Sequence, residues 1–478
     1  MHAGKQHGLS DCVDYIIEQG YEFVIAPDSS SNDLQELHTL AEHGIHTLIL
    51  DHHDCDTESQ DAIIINNQMC DYPNKSLSGA GVVYKFCQRL DQLLNHSLAD
   101  DFLDLAAIGM IADMEPLLDL ETHRLIEKGL NNIQNQFLLA MMEKNEYSLK
   151  GHINPQGVSF YIAPTMNAVM RLGTMDEKTI LFQALLEKYQ TMTVASGKRG
   201  ANGRPVPLVS EAVRQATNVK ARQAKARDSK YKELKTIIDE EQLCNNKILV
   251  LCQDSKDADE SKGMNGLIAN QLMSTYKHPV LLLQRIEHED GTISYDGSGR
   301  NVPHTELTDF RSFVEETKLV NYAQGHSAAF GVSIPAENIN KFIALTNERL
   351  ANIDFSTAYL VDDIVDSANV QREEINSLYR ARDLWGQDVN EPYLAIRQVK
   401  VSPDTVIAGE KIIKIVDMAA GIYYVKFKPT PEEFMFFSSL NKTYTIDLVG
   451  TCSYSDYDYA PMIIITDYNL NKETYWDF

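Results

Sequence analysis

The sequence predicts an α/β protein of more than one domain: a parallel-sheet domain, a long linking helix, a second α/β domain and a C-terminal all-β barrel. Three observations carry that expectation. Apolar runs at 21–26 and 46–50 flank a segment with helical spacing, the pattern of a βαβ unit. Residues 205–240 are charged and have few apolar positions, which suits a helix bridging domains better than one buried in a core. Several short apolar runs crowd into residues 390–478.

Composition bounds the rest. The chain has 478 residues, room for about three domains at roughly 150 residues each. Hydrophobic residues make up 44%, so a sizeable core is available, which argues against global disorder. No run approaches the ~18 apolar residues of a membrane span, and no signal peptide is visible, so no membrane partner is expected. Seven scattered cysteines without CxxC spacing fit reduced thiols and a cytoplasmic location. The net charge of −25 argues against general nucleic-acid affinity. One stretch departs from it: residues 197–235 carry eleven Lys or Arg against three Asp or Glu, enough either for a solvated helix face or for guiding a polyanion locally.

The elements follow in order. Tyr21 to Ala26 reads as a strand ending at Pro27-Asp28, and residues 29–32 offer helix caps. Leu34, Leu37, Leu40 and Ala41 recur at helical spacing, and Gly44 reads as the stop. His46 to Leu50 is the next strand, so Asp28 and Asp51 should share one edge of a parallel sheet. Ala62 to Ile65 reads as a third strand. A helix follows Gly79-Ala80-Gly81 as far as Leu94. Phe102 to Ala112, apolar and rich in small residues, reads as a tightly packed helix ending at Asp113. After the linking helix, strands at Lys247 to Cys252 and Pro279 to Leu283 flank a helix over 263–276. Five strands, Ile396 to Val401, Lys411 to Val416, Ile422 to Phe427, Tyr444 to Val449 and Met462 to Ile465, suggest a barrel of the OB type. The domain boundaries expected are 1–200, 201–243 for the linking helix, 244–355, 356–389 for a helical connector, and 390–478.

Leu50-Asp51-His52-His53-Asp54 puts an acid and two imidazoles where a strand ends, the place where an open parallel sheet presents ligands. One hard oxygen and two borderline nitrogens suit manganese, iron or zinc. Asp28 and Asp113 complete a constellation able to hold divalent ions, two of which can clamp the attacking and leaving oxygens of a phosphoryl transfer. Asp28 alone reads better as a capping residue. His52-His53 directly after a strand reads as a metal site.

The ordered motifs resemble those of the DHH phosphoesterases, and within them the RecJ single-strand-specific exonucleases. They are DHHD at 51–54, APD ending at Asp28, SGAGVVYKF at 78–86 and DLAAIGMIADMEPL at 104–117, the last similar to a DLVALGTVADVVPL type of segment. PTMNAVMRLG at 164–173 is similar to PRINAAGRLG. GMNGLIANQLMSTYKHPVLLL at 263–283, DGSGRN at 296–301 and QGHSAAFG at 324–331 resemble pieces of the DHH-associated domain. The resemblance covers nearly the whole chain. It implies a DHH domain, a DHH-associated domain and an OB-like barrel. It also implies 5′ to 3′ hydrolysis of single-stranded DNA to mononucleotides, in DNA recombination and repair, with two Mn²⁺ or Mg²⁺ ions.

Implied roles follow residue by residue. Asp28 would bridge the ions, with His52 and Asp113 as further ligands. Asp51 would orient His52 or hold the turn, and His53 would contact the scissile phosphate. Arg171, Ser298, Arg300, Gly325 and His326 would bind the DNA phosphates, with Gly297, Gly299 and Gly325 allowing close backbone approach. Tyr423, Tyr424 and Phe427 would be stacking faces or barrel core.

One departure qualifies these implications. RecJ-like enzymes have a first motif of the type DxDG, and nothing of that type precedes Asp28. Residues 1–9, MHAGKQHGL, resemble the segment that follows it. The alternatives are a split nuclease completed by an N-terminal fragment, a misassigned start, or a catalytically silent single-strand-binding or scaffold relative. His2 and His7 are weak substitute ligands. A small-substrate phosphoesterase is disfavoured by residues 390–478.

Overall fold

The computed structural model describes residues 8–55, 57–201, 203–254, 264–288, 290–355 and 359–470. His2 and His7 lie outside them. The chain divides into two compact units. One gathers the described residues up to Asn167, Thr174–Ala216 and those from Val361 onward; the other comprises Ala168–Gly173 and Thr217–Leu360.

The first unit opens with a parallel sheet of β1 (Phe23–Pro27), β2 (His46–Asp51) and β3 (Ile63–Asn66), in that order. The register pairs Ala26 with Ile49 and Pro27 with Leu50, so β1 and β2 end together. β2 is central and almost wholly buried, which is why it reads as an unbroken apolar run. Ile49 packs with Leu37 and Leu40 of helix Leu34–Glu42 and with Val13 and Ile16 of helix Val13–Glu18. Helix Gly79–Leu94 packs against β2 and against helix Leu103–Ala112, where Gly109 lets the two helices approach at Ala80. β1 is an edge strand among the described residues, and its Phe23 and Ile25 are more than half exposed.

The same unit holds a seven-stranded sheet, ordered Asp363–Asp366, Tyr393–Val401, Tyr444–Ser455, Ala460–Leu470, Ile422–Phe427, Ile412–Asp417 and Val406–Ala408. The five expected strands are present, three of them extended, and two short strands are added at the edges. Asp363–Asp366 has only two apolar residues between acids, too few for a period-2 signal. Isoleucines from five strands, with Tyr424 and Phe437, form one core. Val370 and Ile375 belong to it as well, so the segment expected as a connector packs as part of this sheet. Tyr424 is fully buried, with its hydroxyl 3.2 Å from Asp417 Oδ2. Of the three aromatic residues considered for stacking, it is core.

Helix Leu208–Glu240 runs from the first unit into the second. The second unit is a five-stranded mixed sheet ordered Leu249–Gln253, Val280–Glu287, Ile293–Arg300, Ala329–Pro335 and Tyr322–His326. Helix Asn265–Tyr276 covers one face of the first two strands through Ile268 and Leu272. Phe310, Phe330 and Phe342 fill the opposite face.

Candidate metal centre and the polar sheet face

The metal-ligand candidates sit where β1 and β2 end. Asp28 directly follows β1, and its N–H donates to Leu50 O at 2.8 Å, tying the two strand ends together. Its φ of +61° turns the chain sharply there. Ser78 caps helix Gly79–Leu94, and a Cβ on Gly79 would collide with the Asp28 carboxylate. The helix N-terminus therefore abuts Asp28, and only glycine permits that approach.

Asp51 is buried, and its carboxylate holds the turn. Oδ1 accepts from His52 N at 2.8 Å and lies 2.7 Å from His53 Nδ1, while Oδ2 accepts from Ser31 N at 3.2 Å. Burial pushes this carboxyl up, but the bonds from His53, Ser31 and His52 outweigh it and hold it below the ordinary range. The imidazole that Asp51 orients is thus His53, not His52. Asn66 closes the turn, donating to Ser31 Oγ at 3.0 Å and His53 O at 2.9 Å.

His52 is the hub. Its Nε2 lies 3.3 Å from Asp28 Oδ1 and 3.1 Å from Asp113 Oδ2, and its Nδ1 lies 3.3 Å from Glu115 Oε1. Asp113 ends helix Leu103–Ala112, and Met114, at φ +62°, turns the chain so that Glu115 points back into the protein. The ring is only 15% exposed. Burial lowers its pKa, but the carboxylates of Asp28, Glu115 and Asp113 dominate and push it up to about 10. Three carboxylates around one imidazole make a donor set that fits a hard or borderline divalent cation. Ligand atoms of Asp28, His52 and His53 lie within 4.8 Å of one another, as do those of His52, Asp113 and Glu115. Glu115 was not singled out from the sequence. The family-type segment has valine there, and an acid two residues after Asp113 was the available signal.

In the second unit, Ala329 pairs with Arg300 on one side and His326 on the other, and Gly331 pairs with Ser298 and Gln324. Direct partners share a face. Arg300, Ser298, His326 and Gln324 therefore flank a strip of small residues. Burial lowers the Arg300 pKa, and the nearby Arg171 guanidinium lowers it further. Arg300 also lies against Gly266 at the start of helix Asn265–Tyr276. Two guanidiniums that repel each other beside a helix N-terminus suit an anion. The glycines have a second explanation. A Cβ on Gly299 would meet the Phe330 ring at 2.6 Å, and one on Gly297 would collide with Leu282 O. Both are accounted for by packing in the sheet. Gly325, at φ +127°, lies on the edge strand.

The description "DHH family, N-terminal domain" matches residues 2–110. The chain is 33% identical over 459 residues to the SPbeta prophage-derived YorK of Bacillus subtilis, named as a single-strand DNA-specific exonuclease; the match covers 95% of this chain and 78% of that one. It is 27% identical over 369 residues to the single-stranded-DNA-specific exonuclease RecJ of the same organism, covering 75% of this chain and 43% of RecJ. The crystal structure of Thermus thermophilus RecJ in complex with Mn²⁺ superposes with a TM-score of 0.71 at 20% identity; it covers 96% of this chain, which spans 63% of that structure.

Proposed function

The chain belongs to the DHH family, in the group that includes YorK and RecJ, and on that premise we propose that it is a metal-dependent exonuclease acting on single-stranded DNA. The observation that carries this reading is the convergence of Asp28, His52, Asp113 and Glu115 at the shared end of two parallel strands.

Asp28, His52 and Asp113 would hold the divalent ions, Mn²⁺ or Mg²⁺. When bound, such ions activate water and neutralise charge developing on the phosphate. His53, its ring fixed by Asp51, would contact the scissile phosphate. Arg171, Arg300, Ser298 and His326 would bind phosphates of the strand, and the same residues would set 5′ to 3′ polarity by holding a 5′ end. Mononucleotides would be the products, and recombination and repair the setting. Strand β1 is an edge strand among the described residues, with Phe23 and Ile25 exposed, which leaves room for a further strand beside the centre. Among the described residues no disulfide joins the cysteines, which supports a reducing compartment such as the cytoplasm. Among the described residues no helix is long and apolar enough to cross a membrane.

The test is Mn²⁺-dependent degradation of 5′- and 3′-labelled single strands by the purified chain, with Asp28→Ala as the control for contaminating nuclease. Activity that is lost in the variant supports the enzyme. Binding of single-stranded DNA without degradation, even after adding a first-motif fragment, favours the silent binding relative instead.

A further inference from the structure

We propose that the hairpin tip 456–459, between strands Tyr444–Ser455 and Ala460–Leu470, is a stacking contact for single-stranded DNA made by Tyr457 and Tyr459. The inference rests on the reading that the chain acts on single-stranded DNA, and adds a contact surface remote in sequence from every motif considered above.

Exposure comes first. Tyr457 is 91% exposed and Tyr459 76%. The aromatic residues first considered for stacking are less available. Tyr424 is core, and Lys414 Nζ stands 3.9 Å from the centroid of Tyr423. Phe427 is 48% exposed.

The backbone is the second observation. Tyr459 has φ +52°, a left-handed conformation that a turn normally assigns to glycine or asparagine. A bulky aromatic at that position is a strained choice the turn itself does not need. Strain of this kind, held by its surroundings, points to function. The surroundings do hold it. Ser455 Oγ donates to Asp458 Oδ2 at 2.7 Å, Asp458 N donates back to Ser455 Oγ at 3.1 Å, and Arg372 donates to Tyr459 O at 3.2 Å. The tip is preorganised, which lowers the ordering cost of binding.

Charge is the third. In a chain of net −25, two acids on this loop would repel a polyanion, yet both have cationic partners. Asp458 pairs with Lys414 at 2.6 Å, and Asp456 lies 3.8 Å from Lys150. Behind the tip, Tyr454 stacks on Tyr379 at 5.8 Å with 20° between the planes, and Arg382 lies 4.4 Å from the centroid of Tyr379. Lys150 and Lys414 thus balance the loop's own acids, and Arg372 and Arg382 stand beside them at the tip and the strand end behind it. Exposed aromatic rings among cations are the pairing that grips a single strand without reading its sequence. A protein partner would use exposed tyrosines too, but would leave DNA affinity indifferent to them.

The test is binding of fluorescein-labelled dT30 by the full chain in EDTA, read by anisotropy at fixed salt. Tyr457→Ala and Tyr459→Ala should each weaken binding about tenfold, while Tyr457→Phe and Tyr457→Trp should bind like wild type. Tyr459→Gly is the sharper variant. It relieves the positive φ, so its thermal midpoint should hold or rise while its affinity falls. Strands carrying 5-iododeoxyuridine should photo-crosslink to the 456–459 peptide. If the wild type binds and degrades single strands but the alanine variants bind equally well, the tip is not a DNA contact and the exonuclease reading stands. If the wild type neither binds nor degrades them, both readings fall.

Discussion

Glu115→Gln should weaken Mn²⁺ binding about tenfold. His52 turns Nε2 toward Asp28 and Asp113 and Nδ1 toward Glu115. A carboxylate on Nδ1–H fixes the tautomer that leaves Nε2 free for a cation and makes that nitrogen more basic. Removing such a partner typically costs 10–100-fold in metal affinity, or about 1.4–2.7 kcal/mol. Both side chains are largely buried, so solvent screens little of this. The lower end applies because a second effect opposes the first. His52 is pushed up to about 10 without a cation, with Glu115 among the causes. At neutral pH a cation must therefore displace a proton, and losing Glu115 makes that proton easier to remove.

The pH dependence separates the two effects. A raised histidine pKa means the competing proton is bound below that value and released above it. Wild-type Mn²⁺ affinity should climb by about one decade per pH unit between pH 7 and 9. In the glutamine variant the climb should level off at lower pH. Titration calorimetry in two buffers of different ionisation enthalpy reads both the affinity and the proton release. If Glu115→Gln and Glu115→Val bind Mn²⁺ within twofold of wild type at every pH, Glu115 does not position His52. A fall in thermal midpoint with unchanged affinity would make its role structural.

Three further outcomes are expected. Gly79→Ala puts a methyl group into the Asp28 carboxylate; calorimetry should show Mn²⁺ affinity down by more than tenfold with the circular dichroism spectrum intact, and unchanged affinity would refute the close approach. Arg300→Ala and Arg171→Ala should each raise KM for a 5′-phosphorylated strand by roughly 10-fold or more, the scale of a charge-assisted hydrogen bond; equal effects on 5′-phosphorylated and 5′-hydroxyl strands would remove them from the 5′ end. Tyr424→Ala should cost about 3–5 kcal/mol in chemical denaturation, whereas Phe427→Ala, at a half-exposed site, should cost much less; similar losses would contradict the core placement.

The parts of the fold that were legible are those whose sequence signal matches their burial. β2 is buried on both faces, and a parallel strand of that kind is a continuous apolar run ending at its ligands. Short edge strands such as Asp363–Asp366 and Val406–Ala408 bury little and leave no comparable mark. At the site, residue types were legible but partnerships were not. Which imidazole Asp51 orients depends on the turn after β2, where both backbone N–H groups fold back onto Oδ1, and adjacency in sequence favours neither ring. Glu115 reads as an ordinary loop acid until Met114 is known to adopt a positive φ. Gly297 and Gly299 carry a packing reason that the sequence did not show. A glycine pattern that suggested phosphate contact is accounted for by Leu282 and Phe330 in the sheet.

The centre also carries an imbalance that a bound cation would resolve. Asp28, Asp113 and Glu115 all lie within 3.3 Å of one ring, so even a protonated His52 leaves an excess of two negative charges at the shared end of β1 and β2. In the apo chain that excess is unfavourable, and a bound divalent ion would relieve it. Metal binding should therefore add to stability by mass action, by about 2.7 kcal/mol at a free concentration of 100 times Kd. For a unit of this size that means a rise of several degrees in the first thermal transition. Asp113→Asn should halve the excess, raise the apo midpoint and shrink the Mn²⁺-induced rise. Differential scanning calorimetry in EDTA and in saturating Mn²⁺ measures both quantities. An apo midpoint lowered by Asp113→Asn, or a wild-type midpoint indifferent to Mn²⁺, would mean the carboxylates are balanced by the protein itself and the cluster is not built around a cation.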